Sequence, residues 1–229
     1  MHYMECKHLT LEQETKLLYT IAEKYDYLDN GASRAVFNMD SEDFDKCGIK
    51  LPNDKKYVVK VAIGTGGINQ NYFEVHNYIN FGEDYPLATI YYYGKYVEIM
   101  EYVDVIPEAT NFDDDDEEFF EYMRDNVYSD SETQEIIDTI RSLEDINGYT
   151  LDNTQVGFDS NGNVVSYDYG FVADSGKVLT SDLTDFFYEE EETIKEYLYR
   201  LAQIATEEEE VFKNLERELL IAYEDRLIK

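Results

Sequence analysis

Asn163-Val-Val-Ser-Tyr-Asp168-Tyr-Gly-Phe171 is the stretch whose reading decides the fold. An apolar run alternates up to Asp168, and an aromatic residue and a glycine come directly after the aspartate. The valine pair predicts a strand. The tripeptide at its end reads two ways. Asp-Tyr-Gly makes an ordinary turn, or it presents a carboxylate at the end of a strand, where a ligand can meet it. The tripeptide leaves both open, and the segments around it decide.

Just upstream, Val156-Gly-Phe158 predicts a short strand and Asp159-Ser-Asn-Gly162 the turn into the stretch, with residues 146–156 read as a loop. Further back, Tyr57-Val-Val-Lys60-Val-Ala62 predicts a strand with a lysine inside an apolar run. Such a lysine either faces solvent from an edge strand or has a paired, functional role. A glycine-rich connection, Gly64-Thr-Gly66-Gly67, leads to residues 69–79, where Phe73, His76 and Ile79 recur at helical spacing and Val75 and Tyr78 broaden the stripe. The pattern predicts a short helix carrying Glu74, with His76 a half-buried packing residue.

Toward the start, Thr10-Leu-Glu-Gln13 has the form of a capping box, and Leu11, Leu18, Ile21, Ala22 and Tyr25 predict an amphipathic helix over 11–25. Residues 27–37 read as strand, tight polar turn, strand, and 38–56 as a loop. Pro86–Tyr93 and Tyr96–Glu101 flank Gly94-Lys95, a hairpin signal. The composition then shifts, which places a boundary near 103–108, at Pro107.

Beyond it, Asp113–Glu118 is an acidic run suited to the first turn of a helix. Ser131-Glu-Thr-Gln134 is a second capping box, opening a helix that buries Ile136, Ile137, Ile140 and Leu143. From Glu189 the chain reads as helical, with Leu198, Leu201, Ala205, Phe212, Leu215, Leu219 and Ala222 at a 3-4 spacing and Glu208 the one exception. Two helices, the second capped at Thr206-Glu-Glu-Glu209, are expected. A single long helix and a dimerising coiled coil are the alternatives.

The order over about residues 25–172 is turn-rich hairpin, strand lysine, helix glutamate, strand ending in Met-Glu-Tyr-Val, helices, short hairpin, Asp-Tyr-Gly. It resembles the protein-kinase-like fold, and in particular the short kinase-like proteins of bacteriophages. The resemblance implies an α+β, bilobal fold: a small antiparallel-sheet N-lobe with one helix, and a mostly helical C-lobe. Residues 1–24 are then an N-terminal helix, 25–103 the N-lobe, and 104–229 an acidic helical C-lobe.

It also implies a site. Asp29 to Val36 lies where the glycine-rich phosphate loop would be, with Gly31 and Val36 fitting its pattern and Ser33 between them. Lys60 stands as the phosphate-binding lysine and Glu74 as its helix partner. Glu101 to Val103 stands as the hinge whose backbone groups meet an adenine, and Asp168 as the carboxylate that holds Mg²⁺. ATP and Mg²⁺ are the implied cofactors. The catalytic loop departs from the family. Aligned on Val156-Gly-Phe158, the aspartate position is Thr150 and the metal-binding asparagine position is Gln155. Asp152 and Asn153 are nearby, and Asp152 is the best available base. Without a positioned base, phosphoryl transfer loses roughly 10²–10⁴-fold.

Composition limits the rest. Lys and Arg number 19 against 51 Asp and Glu, a net charge of −32. Residues 1–100 hold 15 acids and 10 bases, and residues 101–229 hold 36 and 9, so the acidity belongs to the C-terminal part. Such a field repels nucleic acid. Two cysteines make no disulfide framework, and His2, Cys6 and His8 match no standard zinc spacing. The chain opens without a signal-peptide core, and no run approaches the about 18 apolar residues of a membrane span. A cytoplasmic location is expected.

Three functions compete. The first is an ATP-dependent phosphotransferase. The second is a catalytically inactive kinase-like protein whose acidic C-lobe binds a basic host protein, as a nucleic-acid mimic. The third is a structural or assembly protein without nucleotide chemistry. The oligomeric expectation is a monomer, or a dimer through the C-terminal helices.

Overall fold

The chain folds through β1 (Lys7–His8), α1 (Leu11–Lys24), β2 (Asp29–Asn30), β3 (Arg34–Met39), α2 (Ser41–Lys46), β4 (Tyr57–Ala62), α3 (Gly64–Phe81), β5 (Ile90–Tyr93) and β6 (Val97–Glu101). It continues through β7 (Asp104–Val105), α4 (Asp130–Glu144), β8 (Val156–Phe158), β9 (Val164–Ser166) and α5 (Ile194–Leu227). This computed structural model describes residues 5–30, 33–52, 55–106, 129–144, 156–169 and 193–227, without the side chains at 29, 30, 137, 139–144, 212 and 214–227. The main sheet has the order β1-β5-β6-β4-β3-β2 and is antiparallel except where β1 runs parallel to β5. A second sheet, β7-β8-β9, is joined to it where the Ala88 N–H donates to Ser166 O (2.8 Å) and the Ser166 N–H to Pro86 O (2.8 Å).

Side chains alternate along a strand, so register assigns each to a face. Val36 lies opposite Lys60, and Lys60 opposite Glu98. One face therefore carries Arg34, Val36, Val58, Lys60, Glu98 and Met100, and the other Ala35, Phe37, Val59, Val61, Val97 and Ile99. This second face, apolar apart from Glu101 at the end of β6, is covered by Leu17, Leu18 and Ile21 of α1 with Leu198, Leu201 and Ala205 of α5. A fully buried Leu or Ile contributes roughly 1.5–3 kcal/mol, so this helix pair outweighs the chain's surface ion pairs, each worth about 0–1 kcal/mol. The other face packs on α3 through Val75 and Tyr78, and on Val165 and Tyr169.

This architecture overturns the α+β, kinase-like bilobal expectation. The sheet is mixed rather than antiparallel, helices are interleaved with its strands, and a small three-stranded sheet accompanies it, which makes the chain α/β. The physical reason lies in the last helix. Leu198, Leu201 and Ala205 need apolar cover, and α1 provides it on the main sheet, so α5 joins the first core instead of building a separate helical lobe.

Local corrections have local causes. α5 is one helix, not two: the Thr206 hydroxyl donates to Ala202 O (2.8 Å) within the helix instead of capping a new one. Glu208, the exception in the apolar stripe, accepts from Lys95 Nζ (2.5 Å) and Tyr96 Oη (3.0 Å). The α4 box is Ser129 with Glu132 rather than Ser131 with Gln134, the Ser129 N–H donating to Glu132 Oε2 at 2.7 Å. A carboxylate accepts more strongly than an amide. The expected loop over 38–56 contains the end of β3 and all of α2, whose Phe44 is fully buried.

α3 starts at Gly64, inside the expected glycine-rich connection. Gly67 explains the glycine there: a Cβ would run into the Ser33 carbonyl oxygen and come within 2.8 Å of Ala62 Cα. His76 is exposed and stacks on Tyr72 with ring centroids 6.2 Å apart, and Ile79 is 48% exposed. Val75 and Tyr78 of the expected stripe are buried, and the face that α3 buries is completed by Gly67, Asn71, Glu74 and Asn77 rather than by His76 and Ile79. The capping box of α1 forms as its sequence predicts, with the Thr10 N–H donating to Gln13 Oε1 (3.0 Å) and the Gln13 N–H to Thr10 Oγ1 (3.2 Å). The acidic run at 113–118 lies outside the described residues.

Candidate functional site

β4 carries Lys60 to the middle of the ionic face, where its side chain is 6% exposed and Nζ donates to Glu74 Oε1 at 2.7 Å. α3 supplies Glu74, which is wholly buried. Its second oxygen accepts from Arg34 Nη1, and Oε1 also takes the Tyr169 N–H at 3.3 Å. Arg34 opens β3 and extends its other arm, Nη2, to Asp168. Asp168 Oδ1 accepts from Gln70 Nε2 (3.0 Å), and Gln70 Oε1 accepts from Ser33 Oγ. Lys60, Glu74, Arg34, Asp168, Gln70 and Ser33 thus form one unbroken chain of contacts.

The pairings follow from burial. A buried charge without a partner costs several kcal/mol, and each charge here has one. Burial pushes the Lys60 ammonium down from its ordinary pKa, with the nearby Arg34 adding to the effect and Glu74 opposing it. Burial pushes the Glu74 carboxyl up, but Arg34 and Lys60 together hold it below the ordinary range. Glu98, across from Lys60 on β6, differs. Burial first, then the Glu74 charge, pushes it up to about 8. Both its oxygens lack a hydrogen-bond partner among the described residues.

Asp168 has the one positive φ of a non-glycine among the described residues, 59°. Aspartate is one of the few side chains that visits this region at modest cost. Tyr169 holds the turn in place: its hydroxyl donates to Ala88 O (2.8 Å), and its carbonyl accepts from Asn77 Nδ2 (2.8 Å). The turn leaves the Asp168 side chain 29% exposed, against 5% for Arg34 and none for Glu74. The charged chain therefore has one open end, and that end is a carboxylate.

Of the residues singled out in the sequence, Ser33, Lys60, Glu74 and Asp168 come together here. Val36 sits opposite Lys60 in the ladder and borders the second core, which also contains Val103. Glu101 does not join. Its carboxylate accepts from the Thr89 N–H (2.5 Å), its own N–H donates to Thr89 O (2.9 Å), and the Tyr102 N–H donates to Lys56 O (3.0 Å). Two of the backbone donors expected for an adenine are thus engaged within the fold. Gly31, Asp152 and Gln155, with Gly170 and Phe171 at the end of the 163–171 stretch, lie outside the described residues.

Sequence reasoning missed Arg34, Gln70 and Glu98. Each left a signal. Arg34 lies two residues from Val36 on the same strand face. Gln70 precedes Glu74 by one helical turn, and Glu98 is a lone acid in an apolar strand, as Lys60 is a lone base.

Mg²⁺ takes oxygen ligands and often relies on one or two carboxylates plus phosphate oxygens and water. Asp168 fits that role. Among the described residues no group of three or more His, Cys, Asp or Glu could hold a metal ion. Cys6 and Cys47 are free thiols. Among the described residues no helix is long and apolar enough to cross a membrane. No protein-family model and no curated protein matches this chain.

Proposed function

We propose that the chain binds a nucleoside triphosphate with Mg²⁺, ATP in the first instance, at the Ser33–Lys60–Glu74–Asp168 cluster, with phosphoryl transfer as the activity to assay. One observation carries this reading: an ammonium and two carboxylates, distant in sequence, belong to one contact chain that ends in a partly exposed carboxylate. In this role Glu74 fixes the Lys60 ammonium, whose remaining hydrogens serve phosphate oxygens. Asp168 supplies the oxygen for Mg²⁺, which neutralises phosphate charge when bound. The cytoplasm, where ATP and Mg²⁺ are held together, is the compartment this reading implies.

Calorimetry and thermal shift with ATP and Mg²⁺ test the binding, and transfer of label from ATP tests the activity. Ligand at 100 times its Kd adds about 2.7 kcal/mol of stability. Asp168→Asn, conservative in shape and partly exposed, should abolish the Mg²⁺-dependent part of that gain. A wild-type chain indifferent to millimolar ATP and Mg²⁺ would overturn the proposal.

A second reading rests on charge. With 51 acids against 19 bases, and with Glu207 and Glu210 exposed on α5, the chain is suited to hold a protein with a basic surface, without catalysis. Pulldown at rising salt separates the two: a basic partner retained at low salt and released at moderate salt supports it, and a salt-indifferent partner removes it.

A further inference from the structure

We propose that Arg34 is an exchangeable counter-ion: one arm of its guanidinium stays on Glu74, while the other passes from Asp168 to a phosphate oxygen when a divalent cation takes Asp168. This deepens the nucleotide reading above and rests on it. Arg34 Nη1 meets Glu74, which is fully buried, and Nη2 meets Asp168, the exposed end of the cluster. Both nitrogens are buried, but the two arms meet different partners: one a wholly buried carboxylate, the other a carboxylate that is 29% exposed.

Electrostatics favours the exchange. In the free protein the guanidinium neutralises Asp168. A divalent cation on the same carboxylate would stand against the Nη2 arm, and like charges at that range repel in a partly buried site. The arm is then drawn to another anion. Arg34 directly follows Ser33 at the start of β3, and a guanidinium suits phosphate as well as carboxylate.

The test uses the full chain and two probes, Mn²⁺ alone followed by electron paramagnetic resonance, and ATP with Mg²⁺ followed by calorimetry. Arg34→Gln should move the two affinities in opposite directions: Mn²⁺ about tenfold tighter, because Asp168 loses its competitor, and ATP with Mg²⁺ about tenfold weaker, because a charge-assisted bond to phosphate is gone. A structural role alone would weaken both together. Gln70→Ala keeps the Arg34–Glu74 pair intact and removes one donor from Asp168, so it should tighten Mn²⁺ about two- to threefold even if Arg34→Gln folds poorly. If the wild type binds ATP with Mg²⁺ and neither variant tightens Mn²⁺, the exchange is wrong and the nucleotide site stands. If the wild type binds no ATP with Mg²⁺, both proposals fall.

Discussion

Lys60 and Glu98 face each other across β4 and β6, yet the ammonium bonds Glu74 of α3 and leaves Glu98 without a hydrogen-bond partner among the described residues. Two buried glutamates beside one lysine thus have different roles. Glu74 is an ionised partner of two cations, whereas Glu98, pushed up to about 8, is largely a neutral acid at pH 7.

The two amide substitutions should therefore diverge. Glu74→Gln strips Lys60 and Arg34 of their shared partner, and breaking a buried pair costs about 3–5 kcal/mol. Glu98→Gln replaces a neutral acid by a neutral amide of the same shape and should stay within about 1 kcal/mol of the wild type. Urea unfolding at pH 7 reads both, and equal losses would show that Glu98 is ionised in the folded chain.

Gly67 joins the site to the sheet. A Cβ there would strike the Ser33 backbone, and that contact sets how closely α3 approaches β3. Overpacking of this kind costs about 1–3 kcal/mol or more. Gly67→Ala should lower stability by that order and, by moving Ser33 off Gln70, weaken ATP binding as well. Gly162 has open space around it, with nothing within 4 Å of an added Cβ, but its φ is +81°, so Gly162→Ala carries backbone strain alone and should leave ligand affinity unchanged. Equal affinity losses in the two variants would count against the link between Gly67 and the site.

How much of this is legible in the sequence depends on whether a residue's partner is near in the chain. The capping box Thr10–Gln13, the Gly94-Lys95 hairpin and the strand around Lys60 are set by local chemistry, and each is readable. The resemblance also draws attention to Lys60, Glu74 and Asp168. The fold is not readable, because it turns on a long-range choice: an apolar stripe at 198–205 shows that a partner exists but not that α1 is the partner. Arg34 escapes notice because an arginine beside a polar turn looks like a surface residue until Glu74 and Asp168, 40 and 134 positions further on, are brought against it.

The α1–α5 contact gives a direct test of the corrected architecture. Leu201 is 2% exposed in the core that Leu17, Leu18 and Ile21 share. Leu201→Ala should cost about 2–5 kcal/mol, and the loss should appear in one cooperative transition with the main sheet. A separate, earlier transition confined to α5 would mean that the helix is an independent unit.

The hairpin between β5 and β6 offers a pH test away from the ionic cluster. α1 inserts Glu14 beneath it, where Oε1 accepts the N–H groups of Tyr96 (2.6 Å) and Val97 (3.0 Å). A Cβ at Gly94 would collide with this carboxyl group, which accounts for the glycine in the turn. Lys95 and Tyr96 beside it are themselves held by Glu208 of α5. Burial pushes the Glu14 carboxyl from 4.5 up to about 7, with the backbone donors and Lys95 pulling the other way. The folded chain therefore binds this proton more tightly than the unfolded chain does. Its contribution to stability is fully present below pH 4.5, declines as pH rises through the window to 7, and is gone above it. The whole swing is about 3 kcal/mol, since a tenfold difference in proton affinity between the folded and unfolded chains is worth roughly 1.4 kcal/mol. Glu14→Gln keeps an oxygen for both N–H groups but cannot ionise. The two proteins should match near pH 4, and the variant should be the more stable one at pH 8. Every other acid is common to both, so the difference between their unfolding curves isolates Glu14. A difference that does not change from pH 4 to pH 8 would mean that this carboxyl does not titrate there.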